Sequence, residues 1–205
     1  MTLGRVGTLG HICRFLARII CKIFFPYEVR GLENVPKNQN FILCANHISA
    51  IDPVFLSVSQ PHFVYYMGKE ELFRKKWTRW LLGTQFGAFP VERGKGDTHA
   101  LDLACDIINS GKVMGLFPEG TRSRTGNLLR FKSGTAVIAA RTQASILPAC
   151  IVTKDQRVRT FRKIILSYGQ LMTQEELELQ GEKPNIRVAT RKLTAAVETL
   201  MEGCV

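Results

Sequence analysis

The sequence predicts one α/β domain, in which helices flank a central mixed, largely parallel sheet, with an amphipathic helix at the N-terminus. Three observations favour this fold class. Short apolar runs of strand length alternate with helical patterns, as is typical of α/β proteins. The length of 205 residues suits a single domain with its own core. Apolar residues at helical spacing precede the first strand.

The N-terminal helix is predicted over residues 12–24. Its apolar residues share one face, and they are Ile12, Phe15, Leu16, Ile19, Ile20, Ile23 and Phe24. Arg14, Arg18 and Lys22 lie on the opposite face. Such a helix can lie in the headgroup layer of a membrane, with its apolar side in acyl chains and its cations on anionic lipid. The alternative is an ordinary helix packed on the protein's own core.

Charge and cysteine content indicate the environment of the chain. The 28 Lys and Arg residues exceed the 17 Asp and Glu residues by 11, which suits an anionic partner such as lipid phosphate, nucleic acid or an acidic thioester donor. The six cysteines include no Cys-x-x-Cys pair, so a reducing compartment is the simplest interpretation. Charges interrupt every apolar run before the roughly 18 residues of a membrane span. We therefore expect residues 1–25 to lie on a membrane, at its cytoplasmic face, and residues 26–205 to form the α/β domain.

Six short apolar runs predict the strands, at 41–45, 63–67, 86–91, 113–117, 146–152 and 163–167. A helix is predicted over 97–110, where Asp97 is a plausible N-cap and Gly111 ends the helix. Apolar residues between 186 and 200 share one face and predict a closing helix. The segment 69–82 combines tryptophan with cations, which suits a lipid interface and a core-packed helix equally well.

The strongest functional pattern follows the first of these strands, in Asn46-His47-Ile48-Ser49-Ala50-Ile51-Asp52-Pro53. Residues five apart in a regular helix point about 140° away from each other, so the segment must turn if His47 and Asp52 are to meet. Asp52 before Pro53 predicts that a helix begins there. An imidazole bonded to a carboxylate suits a general base that accepts a hydroxyl proton. A structural histidine that caps a turn is the alternative.

The chain has no Gly-x-Ser-x-Gly nucleophile elbow, which favours direct attack by the hydroxyl of an acceptor over a covalent enzyme intermediate. A zinc site built on Cys44 and His47 would lack a second pair of ligands. We therefore expect no metal and no cofactor.

Two further strand ends carry arginine, in Phe89-Pro90-Val91-Glu92-Arg93-Gly94 and in Phe117-Pro118-Glu119-Gly120-Thr121-Arg122-Ser123. The planar guanidinium group suits a phosphate with several oxygens, and Gly120 allows close approach of the backbone. Glu119 would orient either one of these arginines or a substrate hydroxyl. Taken singly, each segment could be a salt-bridged loop.

These segments, in this order and followed by Ile146-Leu147-Pro148-Ala149, resemble the four sequence blocks of the 1-acylglycerol-3-phosphate acyltransferase family. The blocks span residues 41–152, and residues 27–36 are similar to the segment that precedes them in the family. One block can match by chance, but four in order are improbable. The chief departure is the N-terminus, where many relatives have transmembrane segments.

The resemblance implies an enzyme in which His47 is the catalytic base and Asp52 its partner. It implies that the acceptor is the sn-2 hydroxyl of lysophosphatidic acid and that the product is phosphatidic acid. The donor would be an acyl thioester of coenzyme A or acyl carrier protein, which is a co-substrate rather than a cofactor. The residues implied in binding the glycerol phosphate are Lys69, Arg93, Glu119, Gly120, Thr121 and Arg122.

Two other functions compete with this interpretation. Within the family, the acceptor would be glycerol 3-phosphate or a lysophospholipid with a larger headgroup. In a different class, a non-catalytic module that binds anionic lipid or nucleic acid would explain the charge but not the His47 and Asp52 pair. We expect no nucleic acid partner, because the sequence shows neither zinc-finger spacing nor an aromatic RNA-binding pattern.

Overall fold

Seven strands form one sheet in the computed structural model, which describes residues 7–91 and 98–204. In chain order the strands are β1 (Tyr27–Arg30), β2 (Ile42–Ala45), β3 (Val64–Lys69), β4 (Ala88–Val91), β5 (Val113–Leu116), β6 (Ile146–Thr153) and β7 (Ile164–Tyr168). Their order across the sheet is β1-β7-β6-β2-β5-β3-β4. Every neighbouring pair is parallel except β6 and β7, which are antiparallel. The predicted single α/β domain with a mixed, largely parallel sheet is confirmed.

Six α-helices lie in the described residues: α1 (Thr8–Phe24), α2 (Asp52–Val58), α3 (Lys76–Thr78), α4 (Thr98–Asn109), α5 (Gly134–Thr142) and α6 (Ile186–Glu202). Helix α3 continues into a π-helical stretch, Arg79–Gln85, and two short 3-10 helices occupy Leu32–Asn34 and Glu70–Phe73. Helix α2 begins at Asp52, as predicted. Gly111 follows α4 with φ +79°, a conformation that favours glycine. The predicted N-cap Asp97 lies outside the described residues.

Apolar residues cover both faces of the sheet, which explains why β2 is apolar without interruption. Ile42 and Cys44 point into a core formed with α4, α5 and α6. Leu43 and Ala45 point the other way, into a core that includes α2 and one side of α1. The alternation along β2 therefore places one buried layer on each side of the strand that precedes His47.

Helix α1 presents its apolar face outward. All seven residues of the predicted apolar stripe, with Leu9, are at least 41% exposed. The polar face instead contacts the domain: Arg14 is buried, Arg18 donates a hydrogen bond to the carbonyl of the last residue of α2, and Arg14 donates to two carbonyls that follow this helix. The predicted contact of these two arginines with anionic lipid is therefore wrong, because their guanidinium groups are already bound inside the protein. The alternative, a helix packed on the protein's own core, holds only for the side of α1 that carries Cys21, because the predicted apolar stripe itself is exposed.

Within residues 7–91 and 98–204, no helix is long and apolar enough to cross a membrane.

Candidate active site

The predicted functional segments meet at one edge of the sheet. Strands β2, β5 and β6 run parallel, so their carboxyl ends lie at the same edge. His47 and Asp52 follow β2 there, and the turn at residues 117–122 follows β5. Strand β3 is parallel to β5 and ends at this edge with the exposed side chain of Lys69. Arg93, the remaining predicted residue, lies outside the described residues.

His47 and Asp52 are joined by a hydrogen bond of 2.8 Å between Nδ1 and Oδ2. The same oxygen, Oδ2, accepts the backbone N–H groups of Ile48 and Ser49, each at 2.7 Å. These bonds close the turn that the sequence requires, and Pro53 then continues helix α2. Because a carboxylate only accepts, Nδ1 of a neutral imidazole carries the hydrogen, and Nε2 keeps a free lone pair.

The imidazole is packed on an aromatic stack. The ring of Phe117 lies 4.2 Å from the ring of His47, centroid to centroid, at an interplanar angle of 21°. The ring of Tyr66 also stacks with Phe117, at 6.0 Å between centroids. Burial raises the pKa of the Tyr66 phenol far above its ordinary value, so this ring stays neutral. Asp52 is fully buried and the His47 side chain is 16% exposed, so the imidazole is held by a buried partner and is still partly accessible.

Glu119 is bound to the backbone rather than to an arginine of the described residues. Its Oε1 accepts the N–H of His47 at 2.6 Å, and its Oε2 accepts the N–H of Leu129 at 3.1 Å. The carbonyl of His47 in turn accepts the N–H of Ser123 at 2.7 Å. Burial raises the pKa of Glu119, although the two amide bonds oppose this shift. Within the described residues, Glu119 therefore ties the loop after β5 to the base. That it also orients Arg93, which lies outside them, or a substrate hydroxyl stays a prediction.

The loop after β5 carries exposed cations. Gly120 has φ +68°, and a Cβ built on it would lie 2.9 Å from Nζ of Lys132. The backbone N–H of Lys132 also donates to the carbonyl of Pro118 at 2.9 Å. Lys132 thus lies over the turn at Gly120, and the next two residues along the chain, Thr121 and Arg122, are also exposed. The positive φ favours glycine at position 120, and the absence of a side chain there leaves room for the end of Lys132.

Lys132 was not among the predicted site residues. It stands in Phe131-Lys132-Ser133-Gly134, between the arginine-bearing segment and α5, and no strand end or glycine turn marks it. Only its cationic charge could have indicated it, and 28 residues of the chain share that property. The fold brings Lys132 to the site because its backbone N–H binds the carbonyl of Pro118.

A zinc ligand at Cys44 does not fit this geometry. The side chain is fully buried, and burial raises its pKa to about 12, so the thiol remains protonated at neutral pH. Residues 7–91 and 98–204 also contain no group of three or more His, Cys, Asp or Glu side chains that could hold a metal ion.

The four ordered blocks coincide with a known family. The family model described as Acyltransferase matches residues 26–152, which is more than half of the chain. The chain belongs to the acyltransferase family. This acyltransferase is 26% identical over 191 residues to the 1-acyl-sn-glycerol-3-phosphate acyltransferase of Bacillus subtilis (strain 168), and the match covers 92% of this chain and 94% of that protein.

Two further relatives agree with this assignment. The enzyme of the same name from Borreliella burgdorferi is 35% identical over 125 residues, which cover 60% of the acyltransferase described here and 50% of the relative. The crystal structure of the 1-acyl-sn-glycerophosphate (LPA) acyltransferase PlsC from Thermotoga maritima superposes with a TM-score of 0.72 at 25% identity. That superposition covers 93% of this chain and 80% of the other. The resemblance seen in the sequence blocks is confirmed.

Proposed function

We propose that this acyltransferase transfers a fatty acyl chain from an acyl thioester of coenzyme A or acyl carrier protein to the sn-2 hydroxyl of 1-acyl-sn-glycerol 3-phosphate, giving phosphatidic acid. The observation that carries the proposal is the bond between His47 Nδ1 and Asp52 Oδ2, which leaves Nε2 free beside a cationic loop. The names of the relatives support the acceptor, since three of them act on a 1-acylglycerol phosphate.

In the proposed reaction, Nε2 of His47 accepts the proton of the acceptor hydroxyl while the hydroxyl oxygen attacks the thioester carbonyl carbon. The tetrahedral intermediate collapses with cleavage of the carbon–sulfur bond. The leaving thiolate then takes the proton back from the imidazolium, which the Asp52 carboxylate stabilises in the interim. General-base catalysis contributes about 10² to 10⁴ in rate, so positioning of the two substrates supplies much of the remainder.

The reaction can be tested directly. Purified protein would be incubated with liposomes, lysophosphatidic acid and a thioester of either coenzyme A or acyl carrier protein, and the product would be identified by mass. Formation of phosphatidic acid supports the proposal and identifies the donor. A panel with glycerol 3-phosphate and lysophosphatidylcholine separates the alternative acceptors, because a preference for either would overturn the proposed one.

Arg122 and Lys132 bind the acceptor phosphate in this proposal, together with Lys69 and Arg93. Replacement of Arg122 by glutamine is expected to raise the apparent KM for lysophosphatidic acid about tenfold, since a hydrogen bond to a charged group is worth about 1.5–3 kcal/mol before solvent screening. The expected change in kcat is small. Steady-state kinetics on mixed micelles measure both constants.

The matched control for Arg122 is Arg191→Gln, which removes the same charge from an exposed position on α6. It should leave the KM unchanged. With monoacylglycerol, an acceptor without phosphate, the wild-type protein and the Arg122→Gln variant should have the same KM. An unchanged KM for lysophosphatidic acid, or an equal loss with both acceptors, would contradict a phosphate contact.

The membrane surface is the second partner in the proposed function. The exposed apolar stripe of α1 is the kind of surface that inserts at the boundary between lipid headgroups and acyl chains. Trp77 and Trp80 are 62% and 49% exposed in the segment that includes the π-helical stretch, which packs beside α1. Tryptophan favours the membrane interface. Attachment from the cytoplasmic side stays a prediction.

A double variant tests this surface: Phe15→Ser with Ile23→Ser. The two side chains are 59% and 58% exposed, so the substitutions remove apolar area without opening the core. Because burial of such a side chain is worth about 1.5–3 kcal/mol, binding to anionic liposomes should weaken more than tenfold. Co-sedimentation measures the bound fraction. Leu32→Ser is the control, because Leu32 is exposed just after β1, at the edge of the sheet opposite the active site. Undiminished liposome binding by the double variant would contradict the proposed surface.

A further inference from the structure

Two arginines of α1 bind the backbone at the C-terminal end of helix α2. Arg14 is 8% exposed, and its two terminal nitrogens donate to the carbonyls of Gln60 and Pro61, the latter at 3.0 Å. Arg18 donates from Nε to the carbonyl of Val58 at 2.7 Å. The last carbonyls of a helix have no partner within the helix, and a nearby cation is favourable at that end. The two arginines therefore form a clamp on the C-terminal end of α2.

The clamp determines the direction of α1 relative to the site. Arg14 contacts residues further along the chain than Arg18 does, so α1 and α2 run antiparallel. Helix α2 starts with Asp52 at the active-site edge of the sheet, and α1 consequently rises toward that edge and ends there at Phe24. Cys21, on the same side of α1 as the arginines, is buried in the core beneath.

The other end of α1 is fixed by the loop between β6 and β7. The N–H of Phe161 donates to the carbonyl of Phe24 at 2.6 Å, and the two rings lie 5.8 Å apart. Phe161 is 68% exposed with φ +60°, which is unusual for a bulky side chain and holds the ring on the outer surface. Five exposed cations share this loop: Lys154, Arg157, Arg159, Arg162 and Lys163. An exposed aromatic ring among cations complements an anionic lipid surface.

We infer that Arg14 and Arg18 are positioning residues that set the orientation of the membrane-bound enzyme. They lock α1 against α2, so a bilayer that takes up the apolar stripe meets the His47 site at a fixed height and angle. Without the clamp, α1 would still bind lipid and would stay attached near its C-terminal end through Cys21 and the Phe161 contact, but the angle between α1 and the rest of the domain would no longer be fixed. An acceptor embedded in that bilayer would then rarely meet Nε2 in a reactive geometry. The inference rests on the proposed function.

The test compares Arg18→Gln with Lys22→Gln, which removes the same charge from an exposed position of the same helix. Arg18 is only half-buried, so the substitution should fold even if the double variant Arg14→Gln, Arg18→Gln does not. Three quantities are measured: co-sedimentation with vesicles of phosphatidylcholine and phosphatidylglycerol, turnover of long-chain lysophosphatidic acid in those vesicles, and turnover of a water-soluble hexanoyl analogue. For Arg18→Gln we expect vesicle binding and hexanoyl turnover within twofold of wild type, and vesicle turnover lowered at least tenfold. Lys22→Gln should keep both turnovers within twofold of wild type at equal bound fraction, because it leaves the clamp intact; any loss of binding to these anionic vesicles would report the contact of Lys22 with lipid.

A second measurement reports orientation without activity. Of the two tryptophans of the chain, Trp80 lies in the π-helical stretch that packs beside α1, and Trp77 lies in α3, which leads into that stretch. Brominated lipids should quench their fluorescence in wild-type protein and in Lys22→Gln, and quenching should fall by at least half in Arg18→Gln at equal bound fraction. This readout keeps the inference testable even if the wild-type protein turns over neither acceptor, which would refute the proposed function alone.

Other outcomes overturn the inference. Loss of vesicle binding by Arg18→Gln would make the arginine a lipid ligand. Full vesicle turnover with unchanged quenching would show that the clamp does not set orientation. An equal loss of turnover with both acceptors would place its effect in the active site or in folding rather than in docking.

Discussion

Replacement of His47 by alanine is expected to lower kcat for acyl transfer by about 10² to 10⁴ or more, because this is the usual contribution of a positioned general base. Asp52 holds Nδ1, so Nε2 is the nitrogen that accepts the hydroxyl proton. The variant also loses the acid that returns a proton to the leaving thiolate. Single-turnover measurement with radiolabelled acyl donor separates this chemical step from product release.

Binding of lysophosphatidic acid by His47→Ala should remain within a few-fold of wild type, because the proposed phosphate contacts come from the loop after β5. Isothermal titration in detergent measures it. His99→Ala provides the control, since His99 is exposed on α4, and it should retain full activity. A His47→Ala variant that kept a tenth of the wild-type rate would show that the imidazole is a structural cap of the turn.

Much of the fold follows from local sequence patterns. Strand β2 is predicted because it is buried on both faces and therefore apolar throughout, and α2 because Asp52 precedes Pro53. Strand β1 carries charged residues and is half-buried along its length, so no alternation marks it. Helix α5 buries small residues such as Ala136 and Ala139, which give a weak helical stripe. Both elements are stabilised by tertiary contacts rather than by their own pattern.

The candidate site likewise combines contacts that local sequence predicts with contacts that only the fold creates. His47 and Asp52 are five residues apart and meet through a local turn, so the sequence alone predicts their contact. The contacts of Lys132 and Glu119 depend on where distant segments of the chain meet, which local sequence patterns do not predict. The orientation of α1 is a third case: an apolar stripe opposite a basic stripe identifies an amphipathic helix but does not say which stripe faces the protein. Here the hydrogen-bonding capacity of Arg14 and Arg18 decided it.

The substitution Asp52→Asn should separate the catalytic contribution of Asp52 from its structural one. The amide keeps the size of the carboxylate, and its oxygen can still accept the N–H groups of Ile48 and Ser49, so the turn should persist. The negative charge that stabilises the imidazolium is lost. The amide nitrogen could face His47 only if both N–H groups lost their acceptor, because one oxygen accepts all three bonds, so we expect the amide oxygen to take that place. Loss of the charge should then lower kcat by about 10² to 10⁴.

Asp52→Ala is the matched variant for the structural contribution. It removes all three hydrogen bonds that Oδ2 accepts at a fully buried position, and each amide left unpaired costs about 1–3 kcal/mol. Urea unfolding should therefore show a clearly lower free energy of unfolding for Asp52→Ala and a much smaller change for Asp52→Asn, although both lose activity. If Asp52→Asn retained near wild-type kcat, the carboxylate charge would have no part in catalysis, and Asp52 would serve only to close the turn and start α2.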